Sequence, residues 1–476
     1  MHMLTVRSCL LALFLFSSAG MLSGCGSDAQ SATTPGTAEA PAQAPALPGA
    51  QAISAADRVY TADQTSNTVS VINPATNTLL GTITLGSARP DDLLSALYNK
   101  QISTHGLGFS RDGSMLAVVN VTTNSVSIIL TASNAVKGTV YLRRAPHEAF
   151  FSPDGKELWV AVRGEDHVAI IDVVTMRETM RIPTSDGAAM VIFRPDGAVA
   201  FVNSSRTAEL DVVDVKSHAV VKKLTGLVSS FSPNLAASPD GKEVWLTHKD
   251  VGKVTIVDAQ SYAVLGVIDT GPITNHVNFV SRFDGNYAYV TVGGLDQVKV
   301  YKRNGGTPTL IASIPTGSDP HGIWPSPDNS RVYINLENQD AVQVIDTTTY
   351  AVVATVKVGQ MPQALVYVAN AVPSGEGTAN LTQQNINLKI TSQKITVAGS
   401  GEAKVVVREL DGVDSVVVDA KGLIAGAKYK VLAVSTSGAQ QVIADFKADA
   451  TGKGKVNPNV KFFDAGYTSV VVTPAG

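Results

Sequence analysis

Cysteine is almost absent. The 476-residue chain holds two, Cys9 and Cys25, and no residue beyond position 25 can enter a disulfide framework. Charge is scarce as well, at 16% of residues with a net charge of -3. Such a chain has no basic excess, which excludes the electrostatic footprint of a nucleic-acid partner. The motifs of common catalysis are missing: no G-x-S-x-G elbow, no Walker A loop, no HExxH and no CxxC occurs. What is abundant is apolar and turn-forming: 44% hydrophobic residues, 40 Gly and 22 Pro. That composition suits a β-rich, turn-rich protein and not wholesale disorder.

A repeat organises most of the chain. In Asp319–Gly359 an apolar run enters a Ser-Pro-Asp-Asn turn, and then Arg331–Leu336, Ala341–Asp346 and Ala351–Val358 alternate with strand period. At about forty residues per copy this is the grammar of a propeller blade, which cannot bury both sheet faces alone and must pack around an axis. Six complete units follow from His105, Pro146, Gly187, Asn234, His276 and His321, and an incomplete one spans Arg58–Gly86. Met361–Ala369 is a lone first strand that can complete the opening unit. Seven blades, one of them shared between the ends, would close the ring non-covalently and remove an exposed sheet edge.

The strings SPDGKELWVAV, SPDGKEVWLTH and SPDNSRVYINL, each followed by a strand ending in IDV, VDA or IDT, carry a family resemblance. Over about Ala55–Asn370 the chain resembles the YVTN-type β-propeller repeat family, related in fold to the haem d1 domain of cytochrome cd1 nitrite reductase. The resemblance implies a fold; the scaffold carries many functions. An insertion, residues 87–104, breaks the rhythm, with helical spacing over Asp91–Tyr98 that would project beside the channel mouth.

Residues 1–24 read as a targeting segment: Arg7, then an apolar run from Cys9 to Ala19 too short for an ordinary span, ending in Leu22-Ser23-Gly24-Cys25. This resembles the lipobox of bacterial lipoproteins and implies acylation of Cys25, hence a membrane partner through the anchor. Residues 25–53, rich in Ala and Pro, read as a disordered tether. The propeller is expected over 54–371, a linker over 372–379 and, over 380–476, alternating runs that suggest a small β-sandwich. The expected fold class is therefore all-β, a seven-bladed propeller followed by a sandwich.

Four of the eight histidines stand just before a blade's first strand: His105, His147, His276 and His321, each preceding a similar apolar run. First strands line the channel, so these rings should gather there as two pairs, with Arg144, Glu148 and Asp319 beside them. Neutral imidazoles ligate zinc, copper or iron, and such binding should weaken below about pH 6. His167 and His218 read as exposed turn residues, and His248 as the end of a second strand. Trp159, Trp245 and Trp324 read as packing between blades.

The expected function is a non-catalytic, lipid-anchored scaffold at the bacterial cell envelope, facing the periplasm or the cell surface. It would bind a small ligand or an envelope protein and no nucleic acid. One alternative is a cofactor protein whose channel histidines hold a metal ion or haem-like group. Another is a propeller lactonase, a family that uses His, Arg and Glu at the channel, for which Glu148, His147 and Arg144 are the matching types.

Overall fold

The computed structural model describes residues 51–86, 102–383, 386, 388–399, 401–410 and 412–475. The expected lipidation site at Cys25 and the helix expected at Asp91–Tyr98 lie outside them. Among the described residues the helical content is one 3-10 turn, Gly293–Leu295, and no helix is long and apolar enough to cross a membrane.

Seven four-stranded antiparallel sheets form the blades of a β-propeller, and two further sheets form a β-sandwich behind it in sequence. The first strand of every blade is buried along its length or nearly so, whereas outermost strands such as Arg177–Pro183 face solvent with most residues. The turn between first and second strands is a repeated hydrogen-bonded device. In the third blade the Ser152 hydroxyl donates to Asp154 at 2.7 Å and accepts from the Glu157 amide at 3.0 Å. Ser238 and Ser326 repeat it. The turn needs a left-handed residue, supplied by Gly155 at φ 70° and by Asn329 at φ 61°. Trp159 and Trp245 each donate the indole N–H to a glutamate two residues earlier, at 2.8 Å, and pack edge-on against a phenylalanine of the next blade. They are packing residues, as expected.

The ring closes through Pro362–Val368, which pairs antiparallel with Arg58–Asp63 and completes the first blade ahead of the strands Thr68–Asn73 and Thr78–Thr84. All seven residues of the closing strand are buried. Tyr367 donates to the Asp57 carboxylate at 2.7 Å, and the Asn370 amide to the same group at 2.9 Å.

The segment after the closing strand is pinned, not free. Asn134 donates to the carbonyls of Gly377 and Ala379, and Thr382 pairs with Thr82 on the outer strand of the first blade. The chain thus climbs the outside of the propeller to the face where the first strands begin. There the sandwich lies, its own core built from Val405, Val407, Val416 and Val418 against Tyr429, Val431, Val470 and Val472. It is latched to the propeller by Lys404–Asp319 at 3.3 Å, Arg408–Asp340 at 3.1 Å and the Gln360 amide on the Glu409 carbonyl at 2.6 Å. A cavity of about 520 Å3 remains between the two.

Candidate functional site: the channel mouth

In most blades the residue two positions before the histidine register is left-handed: Ser103, Ala145, Asp319 and Met361 have φ between 52° and 60°. That bend turns the next side chains toward the axis. The glycines after His105 and His321 let neighbouring first strands approach. A Cβ on Gly106 would lie 2.2 Å from the His147 carbonyl oxygen, and one on Gly322 2.4 Å from that of Gln363.

The rings meet as two pairs. The centroids of His105 and His147 are 4.4 Å apart, and those of His276 and His321 4.6 Å. The pairs are not in one register, however. Pro320 pairs with Leu336 and Ile323 with Ile334, as Thr104 pairs with Asn120 and Leu107 with Val118; in the sixth blade Thr274 and Val277 hold these places. Asn275 is therefore the counterpart of His105 and His321, and His276 sits one residue deeper. Counting back from the turn misplaces it because the first strand of that blade, Thr274–Arg282, runs to nine residues. Glu148 is the counterpart of Gly106 and likewise points inward.

Hydrogen bonds define the tautomers. His147 Nδ1 lies 2.7 Å from the Ala189 carbonyl oxygen and His321 Nδ1 3.2 Å from that of Gln363. A carbonyl only accepts, so both Nδ1 atoms carry the proton and both Nε2 atoms are bare acceptors. His105 Nδ1, by contrast, has no partner, and stands 4.0 Å from the Glu148 carboxyl. Burial, followed by the charges of Arg163, His276 and Lys249, pushes His105 down to about 3. Burial likewise holds His147, His276 and His321 well below the ordinary imidazole value. The expected weakening of binding near pH 6 is thus corrected: these rings stay neutral well below that pH. Burial raises Glu148 to about 8, opposed by the Leu107 N–H, so at neutral pH it is mostly an uncharged acid.

Two residues named from the sequence do not join this cluster. The Arg144 guanidinium is 69% exposed, donates to the Gly164 carbonyl and faces Glu165 at 3.6 Å. Asp319 is taken by Asn338 at 2.9 Å and by Lys404 of the sandwich. Among the other histidines, His167 is buried, with 7% exposure, and His218 stacks on Trp159 and meets Glu157 at 2.9 Å; neither is the exposed turn residue expected. His248 is buried at the end of its strand and bonded to Thr255.

The cations at the mouth are instead Arg163 and Arg206, which line a basin of about 390 Å3 with His105, His147 and Gln64. Lys249 lies close enough to oppose protonation of His105, His276 and His321. A signal for Arg163 and Lys249 exists: Gln64, Arg163, Lys249 and Glu337 each directly follow a blade's second strand. Below the histidines the channel shrinks to about 20 Å3 between Leu107, Phe150, Met190, Leu235, Ile323 and Trp324, room for about one water. The mouth is a basin with a floor. Among the described residues no group of three or more His, Cys, Asp or Glu side chains is arranged to hold a metal ion.

The model of the YNCE-like beta-propeller family matches residues 102–395. The chain is 26% identical over 280 residues to "Seven-bladed beta-propeller protein Rv1057" of Mycobacterium tuberculosis, covering 49% of this chain and 65% of that one. It is 22% identical to "Antigen Lp49" of Leptospira interrogans, over 46% of this chain and 51% of the relative. It is 24% identical to "Protein NirF" of Pseudomonas aeruginosa, over 36% and 47%. The chain thus spans less than two thirds of each of these relatives. Among solved structures, a functionally unknown protein from Desulfotomaculum acetoxidans superposes with a TM-score of 0.54 at 14% identity, covering 65% of this chain and 98% of the other. Hydrazine synthase of Kuenenia stuttgartiensis superposes with a TM-score of 0.51 at 22% identity, covering 56% and 89%. These likenesses concern the fold.

Proposed function

This chain belongs to the YNCE-like beta-propeller family, and from that premise we propose that it is a non-catalytic binding scaffold of the bacterial cell envelope. It is tethered through an acylated Cys25 and takes a ligand or partner at the channel mouth, with the sandwich as a second contact surface. The observation that carries the reading is the floored basin of about 390 Å3 on a rigid ring, in the size range of ligand sites. A general base works best with a pKa near the operating pH; His105 at about 3 is far from it, and Glu148 at about 8 is the one group of the cluster near it. In the lactonase alternative the arginine would be Arg163, which lines the basin with His147, and not Arg144, which is exposed and faces Glu165.

One observation favours a second reading. His147 and His321 present bare Nε2 atoms while their Nδ1–H groups bond backbone carbonyls, the outer-shell arrangement that orients metal-ligating histidines. Among the described residues a bare ion lacks a third protein ligand, whereas a haem-type group would need only one or two side chains to hold it. The residues therefore fit a macrocycle better than a lone ion, and His147 or His321 would hold it.

Elemental analysis and a visible spectrum of natively purified protein separate the two. The scaffold reading expects neither a stoichiometric metal nor a visible band; either one overturns it. Fractionation tests the address: Cys25→Ala is expected to leave the membrane fraction or to remain as a precursor. A processed variant that stays membrane-bound would refute the anchor.

A further inference from the structure

The mouth is electrically lopsided. On the seventh blade Asp319 and Glu337 stand on the side covered by the sandwich, and Lys404 meets Asp319 there. On the third and fifth blades Arg163 and Lys249 have no carboxylate partner among the described residues. Arg163 is partly buried, and its guanidinium lies 5.9 Å over the Phe231 ring. Arg206 stands beside it but spends its charge on Asp186 at 3.1 Å. A desolvated guanidinium without an anion is unusual, because burial of a charge is costly unless it is paired. Glu148, 4.0 Å from His105, is buried and does not line the basin. The basin therefore presents fixed positive charge from Arg163 and a bare acceptor from His147 Nε2.

We propose that the open side of the channel mouth binds a small organic oxyanion that also carries hydroxyl groups, with Arg163 gripping the oxyanion and His147 Nε2 accepting from a hydroxyl. Lys249 adds attraction across the mouth. The inference rests on the scaffold reading and narrows its ligand to one chemistry. Arg suits the task because its planar fork matches a carboxylate or a phosphate bidentately. The hydroxyl requirement follows from the tautomer: a ligand with acceptors alone leaves His147 Nε2 unpaired and buried.

The test is calorimetric titration of the full, metal-free chain with gluconate, glycerol phosphate, hexanoate and inorganic phosphate, at low and high salt. Gluconate or glycerol phosphate is expected to bind saturably, and whichever binds more tightly names the oxyanion. Hexanoate, which lacks hydroxyls, and inorganic phosphate, which lacks the polyol, are expected to bind at least tenfold more weakly. Arg163→Met should weaken the tight ligand about ten- to a hundredfold, as loss of a charge-assisted hydrogen bond does. Lys249→Met, a milder change at the loop, should weaken it less and flatten its salt dependence. Unliganded melts of both variants matching the wild type would establish that they fold. Absence of binding by all four probes, or equal affinity in wild type and Arg163→Met, overturns the proposal and leaves a metal-free scaffold standing. A native chromophore or metal on the histidines would instead remove the scaffold reading itself.

Discussion

Removing Arg408 should destabilise the propeller, although Arg408 belongs to the sandwich. Its guanidinium meets Asp340 at 3.1 Å, with side chains only 5% and 3% exposed. The same carboxylate accepts from the Met361 amide at 3.0 Å, where the closing strand begins. Arg408→Met leaves a buried carboxylate with one donor, and breaking a buried pair this way costs about 3–5 kcal/mol. For a domain of this size that is a fall in melting temperature on the order of 10 °C. Asp340→Asn/Arg408→Met removes both charges and keeps an acceptor for Met361, so it should return to within about 1–2 kcal/mol of wild type. Tryptophan fluorescence is a clean reporter, because all three tryptophans, Trp159, Trp245 and Trp324, lie in the propeller. The pH dependence has a definite sign. Burial raises Asp340 above its unfolded value, with Arg408 pulling it back. Without Arg408 the folded state holds its proton to higher pH, so stability is lost as pH rises through that window. The variant's deficit should be largest in alkali and shrink on acidification. A single variant that melts like wild type, or a double variant no better than the single, would refute this reasoning.

Three further outcomes follow from the same contacts. Gly106→Ala places a Cβ 2.2 Å from a backbone oxygen of the neighbouring blade and should cost about 1–3 kcal/mol or more; an unchanged melt would show that the strands can part freely. Glu148→Gln removes a group whose pKa rises on folding to about 8. Wild-type stability should fall with pH between the unfolded value and about 8, and the variant should gain on the order of 5 kcal/mol at pH 9 and nothing at pH 4; denaturant midpoints across pH decide it. Truncation before Met361 removes a fully buried closing strand and should abolish the cooperative propeller transition, whereas a chain ending at Thr378 should retain it. Equal fluorescence melts for the two would contradict closure through that strand.

The blades were legible in the sequence because their information is local. A Ser-Pro-Asp-Gly turn makes its own hydrogen bonds within five residues, and strand alternation repeats at a fixed distance on either side. The leftover strand Met361–Ala369 implied closure by arithmetic, since a strand of such apolar residues needs a partner and the opening unit lacked one. Periodicity also gathered the four histidines at one end of the channel. Tertiary structure decided the rest. It set His276 one residue deeper than its sequence neighbours imply, because the hairpin of the sixth blade is longer. It turned Arg144 outward and brought Arg163 to the mouth, nineteen positions later, through the left-handed bend at Ala145 and the loop after Val162. It gave Asp319 to Lys404, a residue of another domain. Burial then made the imidazoles weak bases and Glu148 a weak acid. Which way a side chain faces, what charge meets it and how much water remains depend on elements far apart in the chain, and these long-range relations turn a row of histidines into a neutral basin edged with positive charge.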